Sequence, residues 1–157
     1  MLLSLNLAMN SIGPDGAMVL AEALSSNDCL KDLNLYGNPL GNEGGMHFAS
    51  MLQINTSLES LNIGACGLKT EAVMSFCTVL RGNSTLLELD LTDPLRFGLK
   101  DDTIMHISKM IDVNNSLKKL TLAKHGIRDY EAENLSKVLG VNCKLTDLNL
   151  YWQVIFF

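Results

Sequence analysis

Residues 30–57 read LKDLNLYGNPLGNEGGMHFASMLQINTS, and the rest of the chain is this 28-residue unit rewritten with changes. Its opening L-x-x-L-x-L has period 2, which puts Leu33 and Leu35 on one face of a short strand and the residues between them on the other. Its second half has period 3.6, the period of a helix with one apolar stripe. Such a unit cannot bury its apolar side alone, but stacked copies bury it continuously as a solenoid.

The triplets recur at Leu2, Leu5, Leu7; Leu30, Leu33, Leu35; Leu58, Leu61, Ile63; Leu86, Leu89, Leu91; Leu117, Leu120, Leu122; and Leu145, Leu148, Leu150. Their starts lie 28, 28, 28, 31 and 28 residues apart. One domain over 1–157 follows, with repeats 2–29, 30–57, 58–85, 86–116 and 117–144 and a partial sixth at 145–157. The longer gap places a three-residue insertion at Asp93-Pro94-Leu95-Arg96-Phe97. Strand, helix and parallel strand in succession imply right-handed crossovers, so the expected fold is α/β, with a parallel sheet on the concave side and helices on the convex side.

Past each strand comes a loop column, Asn10, Asn38, Cys66, Phe97 and His125, in which a buried Asn can satisfy loop backbone. The helical stripe reads Ala17, Leu20, Ala21, Leu24 in the first unit and Val73, Phe76, Cys77, Leu80 in the third. Asn42, Thr70, Asp101 and Asp129 are the expected N-caps. An Asn follows every helix, at 27, 55, 83, 114 and 142, where a left-handed cap is the simplest reading. Met18, Met46, Met74 and Met105 on one flank, with Ala23, Met51, Val79, Met110 and Val138 on the other, predict side-by-side helix packing.

The chain is 47% hydrophobic and 18% charged, with formal net charge −5. That balance argues against a direct nucleic-acid partner. No apolar run approaches a membrane span, and the leucine-rich opening lacks the basic start of a signal peptide. Four cysteines without metal or disulfide spacing predict a reduced, intracellular chain with no cofactor and no metal.

Chemistry-bearing residues have simpler explanations by column. Glu88 and Asp90 share a strand face at roughly 7 Å, a spacing acid–base pairs can use. Glu88, Lys119 and Asp147, however, stand in one column of consecutive repeats and predict a charge ladder. His47 and His106 sit two repeats apart on the outer side, and His125 replaces a loop Asn. The glycines of GNPLGNEGG lack the ending of a phosphate loop, and the sequons at Asn55, Asn83 and Asn114 belong to the helix-ending Asn column.

The concave strand face is left as the candidate binding surface. Its columns supply Asp32, Asn34, Tyr36, Asn62, Glu88, Asp90, Lys119, Thr121, Asp147, Asn149, Tyr151 and Trp152, with the aromatic residues as anchors. The expected partner is a protein of complementary mixed charge, met without catalysis; assembly through exposed repeat ends is an alternative.

The period, the phrase LKDLNLYGNPLGNEGG and the junctions NTSL, NSTL and NNSL resemble the ribonuclease-inhibitor-like class of leucine-rich repeats over nearly the whole chain. The resemblance implies a non-enzymatic interaction scaffold, cytoplasmic or nuclear, with nucleolar, stem-cell or germ-cell associations. Related repeats also imply an alternative as a structural part of a ciliary or flagellar axoneme. The sixth unit departs from the pattern after Tyr151, where Trp152, Ile155, Phe156 and Phe157 replace the expected helix, so a truncated isoform or fragment is expected.

Overall fold

Each L-x-L step forms a three-residue strand: β1 Ser4–Asn6, β2 Asp32–Asn34, β3 Ser60–Asn62, β4 Glu88–Asp90, β5 Lys119–Thr121 and β6 Asp147–Asn149. The computed structural model describes residues 1–94 and 103–151. All six strands pair in parallel, in sequence order. The register joins identical columns, with Leu5, Leu33, Leu61, Leu89, Leu120 and Leu148 side by side.

Between the strands lie α1 Pro14–Ser25, α2 Gly41–Met51, α3 Thr70–Leu80, α4 Thr103–Val113 and α5 Asp129–Leu139. Each helix packs only on its sequence neighbours among the described residues. Parallel strands stack at about 4.8 Å, whereas helices need about 8–10 Å, so the stack bends with the sheet inside and the helices outside. Leu33, Leu61, Leu89 and Leu120 from the sheet meet Phe48, Phe76 and Ile107 from the helices in one continuous buried core. In the outermost described repeats Leu5, Leu7, Leu148 and Leu150 are only partly covered.

Two helix flanks are unequal. Met51, Val79 and Met110 are buried, but Met18 and Met46 remain 43% and 40% exposed. Met74 and Met105 are half-buried, so the methionine column is the less covered of the two flanks. At the tightest point α2 carries Gly44 and Gly45. A Cβ on Gly45 would stand 2.5 Å from Leu68 Cδ2 and 2.9 Å from Ala72 Cβ.

The expected caps are replaced by bonds between repeats. The residues at the N-cap positions of α1, α2, α3 and α5 are Gly13, Leu40, Lys69 and Arg128, while Thr70 and Asp129 begin their helices. Asn42 lies inside α2, and its Oδ1 accepts the Ala72 N–H in the first turn of α3 at 3.1 Å. It thus satisfies an otherwise unpaired N–H of the next helix rather than of its own. Among the helices whose N-caps are described, α5 alone closes on itself, through Glu131 Oε2 accepting the Arg128 N–H at 3.0 Å. Asp101 falls outside the described residues, as do Leu95, Arg96, Phe97 and Leu99.

The helix-ending asparagines are not left-handed. Positive φ at non-glycine residues occurs instead at Met9, Ala65, Asp93 and Lys124, all in one column just after the strands, where the second repeat has Gly37. Each junction Asn turns its Oδ1 to the N–H groups two and three residues on, as Asn55 does to Ser57 and Leu58 at 2.9 and 2.7 Å. Nδ2 reaches back one repeat, from Asn55 to Leu24 O, Asn83 to Leu52 O, Asn114 to Leu80 O and Asn142 to Ile111 O. A spine of amides therefore stitches successive repeats along this edge.

Candidate protein-interaction face

The outward strand residues form two registered columns. The first runs Ser4, Asp32, Ser60, Glu88, Lys119, Asp147, and the second Asn6, Asn34, Asn62, Asp90, Thr121, Asn149. The sheet thereby brings together nearly all the residues that sequence reasoning singled out. Tyr36 and Tyr151 share a third column but sit four strands apart, roughly 19 Å at parallel-strand spacing, so they do not form one aromatic cluster. Trp152 lies outside the described residues.

The second column has a structural task as well as an exposed face. Oδ1 of Asn34, Asn62, Asp90 and Asn149 accepts the N–H two residues later, at Tyr36, Gly64, Thr92 and Tyr151, within 2.8–3.0 Å. Asx turns of this kind end each strand and hold the following side chain in place. Asp90 Oδ2 makes no hydrogen bond among the described residues.

In the first column Ser4 Oγ donates to Asp32 Oδ2 at 2.8 Å, and Lys119 Nζ meets Glu88 Oε1 at 2.7 Å. The Glu88 carboxylate holds the Lys119 ammonium above its ordinary pKa, and Asp147 adds to the same field. The ladder thus forms its Glu88–Lys119 rung, with Asp147 acting on Lys119 through space. This contact engages Glu88, and the Asx bond engages one oxygen of Asp90.

Two further cross-repeat pairs went unnoticed in the sequence although their columns show them. Lys31 Nζ lies 2.9 Å from Glu59 Oε1, and Lys124 Nζ 3.1 Å from Asp93 Oδ2. A third missed feature is Gly64. A Cβ there would lie 3.1 Å from Tyr36 Cδ2, 3.2 Å from Asp90 Oδ1 and 3.2 Å from Thr92 Cβ. The absent side chain leaves a notch that an aromatic ring, a carboxylate and a threonine already close, with no room for a methyl group.

Other candidate chemistry is absorbed by packing. Cys66 donates to Leu35 O at 3.1 Å in the column where Asn38 donates to Leu7 O and His125 Nε2 bonds Leu91 O. Burial pushes the Cys66 and Cys77 thiols up to about 11 and about 12, well away from the reactive thiolate form. Cys29 donates to Asp28 Oδ1, which raises its pKa too. Among the described residues no cluster of three or more His, Cys, Asp or Glu could hold a metal ion, and no helix is long and apolar enough to cross a membrane. The sequon nitrogens Nδ2 of Asn55, Asn83 and Asn114 are bonded to carbonyls of the preceding repeat, which removes the atom a glycan would need.

A sequence model described as Leucine Rich repeat matches residues 1–21, 26–49 and 55–77. The mouse (Mus musculus) leucine-rich repeat-containing protein 34 is 40% identical over 62 residues, a stretch covering 40% of this chain and 15% of that protein. Among solved structures, a leiomodin-1 fragment described as actin-binding site 2 superposes with a TM-score of 0.77 at 23% identity, over 88% of this chain and 79% of its own. The tropomodulin C-terminal domain of Caenorhabditis elegans gives 0.75 at 16% identity, over 90% and 84%. At those identities the likeness is one of fold.

Proposed function

We propose that this chain, a leucine-rich-repeat protein of the α/β solenoid type, is a non-catalytic scaffold that receives a protein partner on its concave strand face. One observation carries this reading: the strands align in register so that their outward side chains form a continuous polar face whose backbone is already satisfied by the sheet and the Asx turns. Extended faces of this kind are what a solenoid offers a partner. The test replaces Asp32, Tyr36, Asp90 and Lys119 together by alanine and compares co-purifying proteins with those of the parent chain. Loss of specific partners supports the reading, and an unchanged set removes it.

The resemblance to leucine-rich repeat-containing protein 34 supports a regulatory role of the nucleolar, stem-cell or germ-cell kind. The leiomodin-1 fragment is described as an actin-binding site, so filamentous actin belongs among the first partners tried. A structural role in an axoneme would draw on the convex side. There a groove of about 370 Å³ runs between α2 and α3, lined by Ala49, Gln53, Met74 and Thr78 among others. Co-sedimentation with salt-washed axonemes, set against nuclear extract, separates the two roles.

A further inference from the structure

The concave face has a charge pattern that favours one class of ligand. Four carboxylates, Asp32, Glu88, Asp90 and Asp147, stand in the two outward columns against a single lysine, Lys119, which Glu88 holds at 2.7 Å. The flanking cations Lys31 and Lys124 face Glu59 and Asp93 at 2.9 and 3.1 Å, and Lys118, just before β5, lies outside both columns. The face as a whole is acidic.

Its acids are also spaced. Asp32, Glu88 and Asp147 occupy one column in alternate strands, β2, β4 and β6. At about 4.8 Å per strand they recur at roughly 9.6 Å. In β4, where Lys119 draws on Glu88, Asp90 supplies a second carboxylate with one oxygen unbonded among the described residues. Tyr36 turns its ring over the Gly64 notch beside that carboxylate.

We infer that the concave face binds a basic, extended protein segment lying across the strands, with Lys or Arg at every third residue. A polyproline II segment rises about 3.1 Å per residue with three residues per turn, so like side chains recur on one side at about 9.3 Å and match the acidic row. The cation at the centre of the segment pairs with the unbonded oxygen of Asp90 in β4, beside the Tyr36 ring that lies over Gly64, so that charge pairing and cation–π contact act together.

This inference rests on the concave-face reading, and its test separates the two. Proline-rich peptides of about twelve residues, with arginine at every third position, are titrated against the full chain by fluorescence anisotropy. Isomers of identical composition with clustered arginines serve as the comparison. The spaced peptide is expected to bind at least about 10-fold more tightly than the clustered one. Asp90→Asn combined with Tyr36→Ala, in a chain that still unfolds cooperatively, should lose that advantage. Equal binding of the two isomers, no binding of either, or a spacing preference unaffected by the double variant overturns the inference. An unbiased peptide library panned on the same chain supplies the second arm. Ligands without the basic spacing whose binding is abolished by Asn62→Arg overturn the inference while the concave-face reading stands, and ligands indifferent to Asn62→Arg overturn both.

Discussion

Asn55 Nδ2 donates to Leu24 O, one repeat back, at 2.8 Å, and to Asn27 O at 2.9 Å, while its Oδ1 takes the Ser57 and Leu58 N–H groups. With 4% of its surface exposed, this one amide satisfies four backbone groups across a repeat boundary. Asn27, in the same column, is exposed, and its side chain makes only the local pair of bonds to Cys29 and Leu30 among the described residues.

Asn55→Ala strands the buried N–H groups of Ser57 and Leu58, each costing about 1–3 kcal/mol when unpaired, less whatever water recovers, whereas Leu24 O and Asn27 O keep bonds from the Asn27 N–H and Ser57 Oγ. A loss of about 2–4 kcal/mol is expected, against about 1 kcal/mol for Asn27→Ala. Urea unfolding of the two variants measures the difference. Equal losses would show that the bonds between repeats contribute nothing beyond the turn itself.

Gly45→Ala adds a methyl group between α2 and α3. Gly to Ala within a helix gains about 1 kcal/mol from propensity. Here the new Cβ meets Leu68 Cδ2 at 2.5 Å and Ala72 Cβ at 2.9 Å, and both neighbours are buried with nowhere to retreat. Overpacking of this sort costs about 1–3 kcal/mol and outweighs the propensity gain. Gly82→Ala is the control, since its Cβ would meet only the Val79 carbonyl, at 3.9 Å. The Gly45 variant should unfold at lower urea than the parent chain, and the Gly82 variant should not.

What the sequence exposes and what it conceals follow from the same periodicity. Leu33 and its column partners are legible because one face of a strand is either core or solvent, and a slip by one residue would reverse every side chain. The outward columns were legible for the same reason, down to the Glu88–Lys119 rung. Asn42 and Asn55 were misread because their partners lie in a neighbouring repeat. A cap rule sees only residues nearby in the chain, whereas Ala72 and Leu24 are close only after stacking. The Gly64 notch was hidden too, because a glycine in one unit acquires meaning only from Tyr36 in the unit before and Asp90 and Thr92 in the unit after.

The left-handed column after each strand offers a stabilising change. Ala65 has φ 53, whereas Gly37 fills the equivalent position with φ 72. A Cβ in this conformation costs about 1–2 kcal/mol, and glycine's extra unfolded-state freedom returns about 0.5–1 kcal/mol of that. Ala65→Gly should therefore stabilise by about 0.5–1 kcal/mol, raising Tm by about 1–4 °C for a chain of this size. Gly37→Ala should do the reverse, with the exposed Met9 thioether moving aside from the new Cβ. Paired thermal scans decide it, and a fall in Tm for Ala65→Gly would count against the backbone argument.

His125 makes stability depend on pH. Its Nε2 lies 2.9 Å from Leu91 O, and a carbonyl only accepts, so the proton is on Nε2 and Nδ1 presents a lone pair. Nδ1 is buried and has no hydrogen-bond partner among the described residues. Burial lowers the ring's pKa to about 4, more than Asp90 and Asp93 nearby raise it. The unfolded chain, with a pKa near 6.5, therefore binds the proton first as pH falls. The neutral ring's contribution is complete above about pH 6.5 and is lost progressively down to about pH 4, a span of about 3 kcal/mol. His125→Asn supplies the side chain that Asn38 uses for the same bond to Leu7 O, without a titrating group. Measured at pH 7.5 and 4.5, the parent chain should lose about 2–3 kcal/mol more than the variant. Parallel pH profiles would mean that the carboxylates alone set the acid limit.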